Sequence, residues 1–459
     1  MAYDRNHIET YPPNDGKGGF TMKQLYIRDL LEFNANINVT LLGWIKARRH
    51  HGKVVFLDVC DSTGTIQVVV DGSKVTADIF DLTKKIPPES AVKIEGKTHQ
   101  TKSNGIEIVC KSAFVIGEAK KQISPQPRTD FDIFDISLTD QLLSNRHLYI
   151  RNPKIMAILK FRHELTTIIR HWFHENRFIE ITAPTLTAIP LYEDGSALSL
   201  EINGEKVFLT QCVGFYLESA VHAFERVYNM GPSFRGEESR SKRHLMEYWH
   251  IKGELAFGDL EDIIALVESL ISYTVKNCEE RCSGLIKTIG TKFCTDGLNA
   301  PFPRIGYREA VSRLQKIGVK FEFGKSLGSH EEALLSKQFA GPFWVTGIPR
   351  KIEPFPYVID SADQELTRTA DLIASEGFGE LLGVAEKISD ASMLDIRMEE
   401  KGKIDNPKYQ WLREMREFGC VPHVGFGMGL ERFIRWLLRI PHVRDTIPFP
   451  RIFRRTIHP

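Results

Sequence analysis

At 459 residues, 42% hydrophobic and 26% charged, the chain has the balance of a globular protein and is long enough for two or three separate cores. A net charge of +1 excludes a uniformly basic nucleic-acid coat but leaves room for local patches. Seven scattered cysteines form no disulfide framework, no run of about 18 apolar residues suggests a membrane span, and the polar start "MAYDRNHIETYPPNDGKGGF" lacks a signal-peptide core, so a reducing, cytoplasmic setting is expected.

Residues 1–24 are polar and rich in Gly, Pro and Asn, and read as a flexible leader. Across 25–118, "VTLLGWIKARRHHGKVVFLDVCDSTGTIQVVV" and the runs after it alternate apolar and polar residues between turn signals; five or so short strands predict a small closed β-barrel. Lys46, Arg48, Arg49 and Lys53 sit beside Trp44 and Phe56, a mix suited to single-stranded nucleic acid, where rings stack on bases and cations hold phosphates. The competing reading is a solvated hairpin edge guarded by charge. Residues 119–140 are charged and Pro-bearing, a linker.

Beyond it, "NPKIMAILKFRHELTTIIRHWFHENRF" has helical periodicity, and "FIEITAPTLT" predicts a strand closed by Pro184. "EKVFLTQ" and "RVYNMGPSFRGEE" follow as strands, and "DLEDIIALVESLISYTVKNC" as an amphipathic helix with Asp259 as N-cap. Cys278 and Cys282 lie one turn apart but lack a second pair, so they read as partly buried thiols rather than half a metal site. Without a regular βα alternation, residues 141–459 are expected to form an α+β domain on an antiparallel sheet flanked by helices.

Three segments stand out: the helix and strand ending "RFIEITAPTL"; "GPSFRGEESRSKRHLMEYWHIKGELAF", with three arginines and four glutamates; and "GFGMGLERF", followed by "RDTIPFPR". In this order they resemble the three signature motifs of class II aminoacyl-tRNA synthetases. With a barrel ahead of them they resemble subclass IIb, the aspartyl/asparaginyl/lysyl group, whose anticodon-binding domain is an OB-fold. "YLE" at 216–218 and "FGCVPHVGFGMGLERF" are most similar to the asparaginyl branch, and the likeness runs over about residues 37–451.

The resemblance implies that ATP and Mg2+ are used to activate a carboxylate, which then passes from its adenylate to tRNA. It places Arg235 on the α-phosphate, Arg432 on the γ-phosphate, Tyr248 against adenine, Glu237 and His244 on the nucleotide, and Asp371 and Glu380 on the metal. Phe56 and Gln67 match positions that stack on and hydrogen-bond an anticodon base, with Arg48 beside them. In the amino-acid pocket, Gln211, Glu218 and an acid at Glu193 or Asp194 match. Gly214 replaces a glutamine, Lys252 an acid, Lys387 an arginine and Val358 another arginine. The motif-one helix implies a homodimer.

An aminoacyl-tRNA ligase with an altered amino-acid pocket is therefore expected. A tRNA-independent paralogue that spends the adenylate on an amide or a metabolite, and a catalytically silent RNA-binding protein, are the alternatives. Lys252 and Lys387 would meet an extra carboxylate on the substrate, or a substrate whose amino group is placed elsewhere or blocked, unless Lys252 pairs with Glu254 or Glu247 away from the pocket.

Overall fold

The computed structural model describes residues 23, 25–31, 36–102, 105–190, 194–238 and 241–457. The chain divides into two compact units, Met1–Thr129 and Asp130–Pro459. Of the expected leader, 1–22 and 24 lie outside the described residues; the Lys23 ammonium donates to Asp61 Oδ2 at 2.7 Å.

In the first unit β1 (Asn38–His51), β2 (Val54–Cys60), β3 (Thr65–Asp71), β4 (Ala91–Gln100) and β5 (Ile106–Gly117) close into a barrel in the order β1-β2-β3-β5-β4. The alternation read from the sequence is the reason. Ile66, Val68 and Val70 point inward from β3 while Thr65, Gln67 and Val69 face out. Leu41, Ile45, Val55, Leu57 and Ile94 fill the core, joined by Ile27 and Leu30 of the helix Ile27–Leu31.

The second unit is built on an eight-stranded sheet. Its strands are β6 (Ile179–Glu180), β10 (Arg226–Phe234), β11 (Glu247–Ala256), β12 (Arg304–Gly306), β13 (Phe343–Thr346), β14 (Thr369–Ala374), β15 (Gly379–Lys387) and β16 (His423–Gly429). Their order is β12-β13-β14-β15-β16-β11-β10-β6, antiparallel except for the pairs at the two edges. β7 (Leu186–Thr187), β8 (Ser199–Ile202) and β9 (Glu205–Leu209) form a separate small sheet. The fold class expected from the sequence is the one observed.

Two details differ from expectation. Only Ile179–Glu180 of "FIEITAPTLT" pairs in the large sheet; Ile181 N–H still donates to Tyr228 O (2.7 Å), and the chain then leaves. Pro184 has no N–H for a ladder, and the other side of β10 is taken by β11. The amphipathic helix runs on to Ile289, because the buried spacing continues through Cys278, Cys282 and Ile289. Asp259 caps it in a reciprocal box with Asp262.

The helices Pro153–Glu175 and Leu260–Ile289 pack against one another behind the sheet, where the Phe173 ring stacks on Tyr228 with centroids 4.0 Å apart. The three matched segments meet through one carboxylate. Arg162 of the first helix donates to Glu431 Oε1 (2.6 Å), and Trp249 N–H of β11 donates to Glu431 Oε2 (3.0 Å). Among the described residues, no helix is long and apolar enough to cross a membrane.

Candidate active site

On the opposite face of the sheet, β11, β16, β15 and β14 floor a cavity of about 740 Å3. Glycines make the room. In one row across the sheet Lys252 pairs with Gly427, Gly427 with Gly383, and Gly383 with Asp371. A Cβ on Gly427 would lie 2.8 Å from Lys252 Cδ, and one on Gly383 would lie 3.0 Å from Asp371 Oδ1. In the next row a Cβ on Gly425 would lie 2.6 Å from the Glu254 carboxyl carbon. Charged side chains thus lie down over bare backbone from both banks of a trough.

One end of the trough opens into a recess rich in cations, lined by Arg235, Arg243, His244, Tyr248, Glu380 and Arg432. Arg235 sits where β10 ends, its N–H donating to Met246 O across the turn (2.9 Å), with Glu237 Oε1 3.6 Å from its Nη1. Arg432, in the first turn of the helix Leu430–Leu437, donates to Glu380 Oε2 (3.2 Å) and to Arg243 O (3.4 Å). Arg243 is paired with buried Glu332. Burial, with Arg432, Arg243 and Arg235 nearby, pushes the His244 imidazole down to about 4, so it is a neutral hydrogen-bonding group at pH 7. The half-buried Tyr248 ring offers a flat face, its hydroxyl donating to Gln211 O at 3.4 Å.

Four carboxylates converge beside this recess. Burial and the charges of Glu380, Glu353 and Glu332 hold the Asp371 carboxyl well above its usual range. Burial and Glu380 push Glu353 up to about 7. Although burial opposes its charge, Glu380 is held below the usual range by Arg432, Arg243 and Arg235. Asp371 and Glu380 are hard oxygen donors of the kind a divalent ion takes. Arg243 already pairs with Glu332 and Arg432 with Glu380, and among the described residues no three of the four carboxylates bring oxygens within 4.8 Å of one another.

The other end holds the expected amino-acid contacts. Gln211 is buried and donates to Ser196 Oγ (2.8 Å). Glu218, fully buried, accepts from Arg416 (2.7 Å) and Lys387 (3.2 Å), with His423 Nε2 at 3.7 Å. The Lys387 ammonium also lies 3.7 Å from Glu254 and over the Tyr357 ring. Its charge is therefore already met, which argues against a second carboxylate there. Lys252 lines the cavity and pairs with neither Glu254 nor Glu247 among the described residues. Glu193 lies outside the described residues; Asp194 opens the short turn Asp194–Ser196. Gly214 begins the helix Gly214–Phe224, and Val358 packs in the apolar cluster around Phe355 and Tyr409. The sequence reading missed Arg243, Glu332, Glu353, Arg416 and His423, which come to the site from segments far apart in the chain.

In the barrel, Phe56 and Gln67 are half-buried on the outward faces of neighbouring strands, diagonal to one another. Gln67 donates to Glu107 (3.1 Å) and accepts from Arg49 (3.3 Å). Arg48 donates to Lys84 O and Ile86 O, closing the end of the helix Ala77–Lys85, so its guanidinium is partly committed to the barrel itself.

Comparison with known proteins places residues 139–452 in the family described as tRNA synthetases class II (D, K and N), and residues 39–116 in the OB-fold nucleic acid binding domain family. The asparagine–tRNA ligase of Desulforamulus reducens is 34% identical over 420 residues, covering 91% of this chain and 96% of that protein. The asparagine–tRNA ligase of Pyrococcus abyssi is 35% identical over 441 residues, covering 94% and 98%. The crystal structure of asparaginyl-tRNA synthetase from Pyrococcus horikoshii, complexed with asparaginyl-adenylate, superposes with a TM-score of 0.88 at 33% identity over 95% of this chain and 100% of that one.

Proposed function

The chain belongs to the class II tRNA synthetases (D, K and N), and on that premise we propose that it activates an amino acid with ATP and transfers it to the 3′-terminal ribose of a tRNA. It is an aminoacyl-tRNA ligase resembling the asparaginyl enzymes. Asparagine, the amino acid in the relatives' names, is the first candidate substrate. The relatives align over 96% and 98% of their own lengths, which supports charging of tRNA over a tRNA-independent or silent protein.

The observation that carries this reading is the trough with cations at its nucleotide end and glycine-cradled charges at the other. An oxygen of the amino-acid carboxylate bonds to the α-phosphorus of ATP. The bond from that phosphorus to the bridging oxygen breaks, and pyrophosphate leaves with the electron pair. Arg235 neutralises the α-phosphate as charge gathers there, and Arg432 the departing pyrophosphate. Tyr248 stacks on adenine, with neutral His244 and Glu237 as its polar neighbours. Asp371 and Glu380 would hold Mg2+, which when bound supplies further neutralisation of phosphate charge. Phe56 and Gln67 on the barrel meet the anticodon base. The protein works as a homodimer in the cytoplasm, paired through the region of the helix Pro153–Glu175 and edge strand β6.

ATP–pyrophosphate exchange tests the reading. Arg235→Ala should lower the exchange rate roughly 10²- to 10³-fold, as removal of a transition-state charge contact does, while the unfolding midpoint stays near that of the wild type. Unchanged exchange would remove Arg235 from the α-phosphate.

A further inference from the structure

Lys252 is unlike the other buried cations of the site. It is 6% exposed, yet it makes no hydrogen bond or ion pair among the described residues. Arg416 and Lys387, also buried, both rest on Glu218. The place of Lys252 is nonetheless built. Its stem lies across Gly427, where a Cβ would come within 2.9 Å of Nζ and of His250 Nε2. The ammonium is thereby turned along the cavity floor, beside a histidine that burial and Lys252 itself hold well below its usual pKa and hence neutral. Two residues on, along the same face of β11, stands Glu254, 1% exposed, whose carboxylate accepts no hydrogen bond among the described residues and has the Lys387 ammonium, shared with Glu218, at 3.7 Å. Leaving a buried charge bare costs several kcal/mol, so a lysine that lines the cavity with no counter-charge among the described residues marks where a bound molecule brings a negative charge.

We propose that Lys252 is a specificity-determining residue that binds a second carboxylate of the amino-acid substrate, so that the site takes an amino acid with an acidic side chain in preference to its amide. The inference rests on the adenylating function proposed above and narrows it. The substrate's ammonium is then left for Glu254. A carboxamide offers Lys252 a dipole where a full charge is needed. The reacting α-carboxylate is a poor partner because it loses its charge on becoming the adenylate, which would leave the lysine bare midway through the reaction. A side-chain carboxylate keeps its charge through both steps.

The test is ATP–pyrophosphate exchange by the full chain with aspartate, glutamate and asparagine in turn, for wild type, Lys252→Met and Lys252→Arg. One of the acids should show the highest kcat/KM in the wild type. Lys252→Met should lower it by roughly 10²-fold, through KM for the amino acid rather than KM for ATP, and should lower asparagine exchange far less. Lys252→Arg, which keeps the charge, should restore most of the loss. Preference of the wild type for asparagine would overturn the inference while leaving the adenylating function standing. An equal loss for acid and amide in Lys252→Met would overturn it too, by placing the α-carboxylate on Lys252, and a changed KM for ATP would do so by placing a phosphate there. Absence of exchange with all three would overturn this inference, and absence with each of the remaining amino acids as well would sink the adenylating function.

Discussion

Glu218→Gln removes one negative charge from the midst of three buried cations. The carboxylate lies 2.7 Å from Arg416, 3.2 Å from Lys387 and 3.7 Å from His423, and all four side chains are at most 7% exposed. Breaking such a group by neutralising one member costs about 3–5 kcal/mol, because the remaining charges stay buried without their counter-ion. The share held by His423 can be separated by pH. Burial opposes its charge, but Cys420 and Glu218 raise the imidazole from 6.5 to about 9. At about 1.4 kcal/mol per pH unit that rise corresponds to about 3 kcal/mol. A charge pair at the His423–Glu218 separation, with an effective dielectric constant of about 20, gives about 4 kcal/mol, the same order as a net rise to which Cys420 and Glu254 also contribute and which burial opposes. Because the folded pKa is raised, this stabilisation is fully present below about pH 6.5, declines as pH climbs, and is gone above about 9. Urea unfolding followed by tryptophan fluorescence at pH 6, 7.5 and 9.5 measures both quantities. Glu218→Gln should cost several kcal/mol at pH 6, and the gap between wild type and variant should narrow at the highest pH by the part of about 3 kcal/mol that Glu218 supplies, Cys420 and Glu254 holding the rest. Parallel profiles, or a cost at pH 6 under about 1 kcal/mol, would refute the assignment of this network.

Gly425→Ala places a Cβ 2.6 Å from a Glu254 carboxyl that Lys387 already confines, so the side chain must shift within the trough. KM for the amino acid should rise while KM for ATP and the unfolding midpoint hold; an unaltered KM would show that Glu254 plays no part in the pocket. On the barrel, Phe56→Ala should weaken binding of cognate tRNA by about 1–3 kcal/mol without altering its salt dependence, whereas Lys53→Ala should flatten the plot of log affinity against log salt by about one unit. Filter binding across a salt series distinguishes the two, and a Phe56→Ala variant that binds normally would move the base contact elsewhere.

The barrel was legible in the sequence because its cause is local: period-two alternation with turns between strands. The helix Leu260–Ile289 was legible in kind for the same reason, since Asp259 announces its start; its end was placed too early, although Lys287 in the last turn and Gly290 as a left-handed cap are local stop signals. The three charged or glycine-rich segments showed Arg235, Tyr248 and Arg432, each set within a motif a few residues long. What only the tertiary structure decided is the company each of these keeps. Glu332 reaches Arg243 from 89 residues away, and Arg416 reaches Glu218 from 198, distances over which residue spacing carries no information. The two pocket lysines read alike in the sequence, as cations in unexpected places. Tertiary packing separates them: Lys387 lies between Glu218 and Glu254 with its charge met, while Lys252 lies across Gly427 with no counter-charge among the described residues. A sequence states which charges are present; whether a buried charge is compensated depends on distances of a few ångströms between strands, and the fold alone sets those.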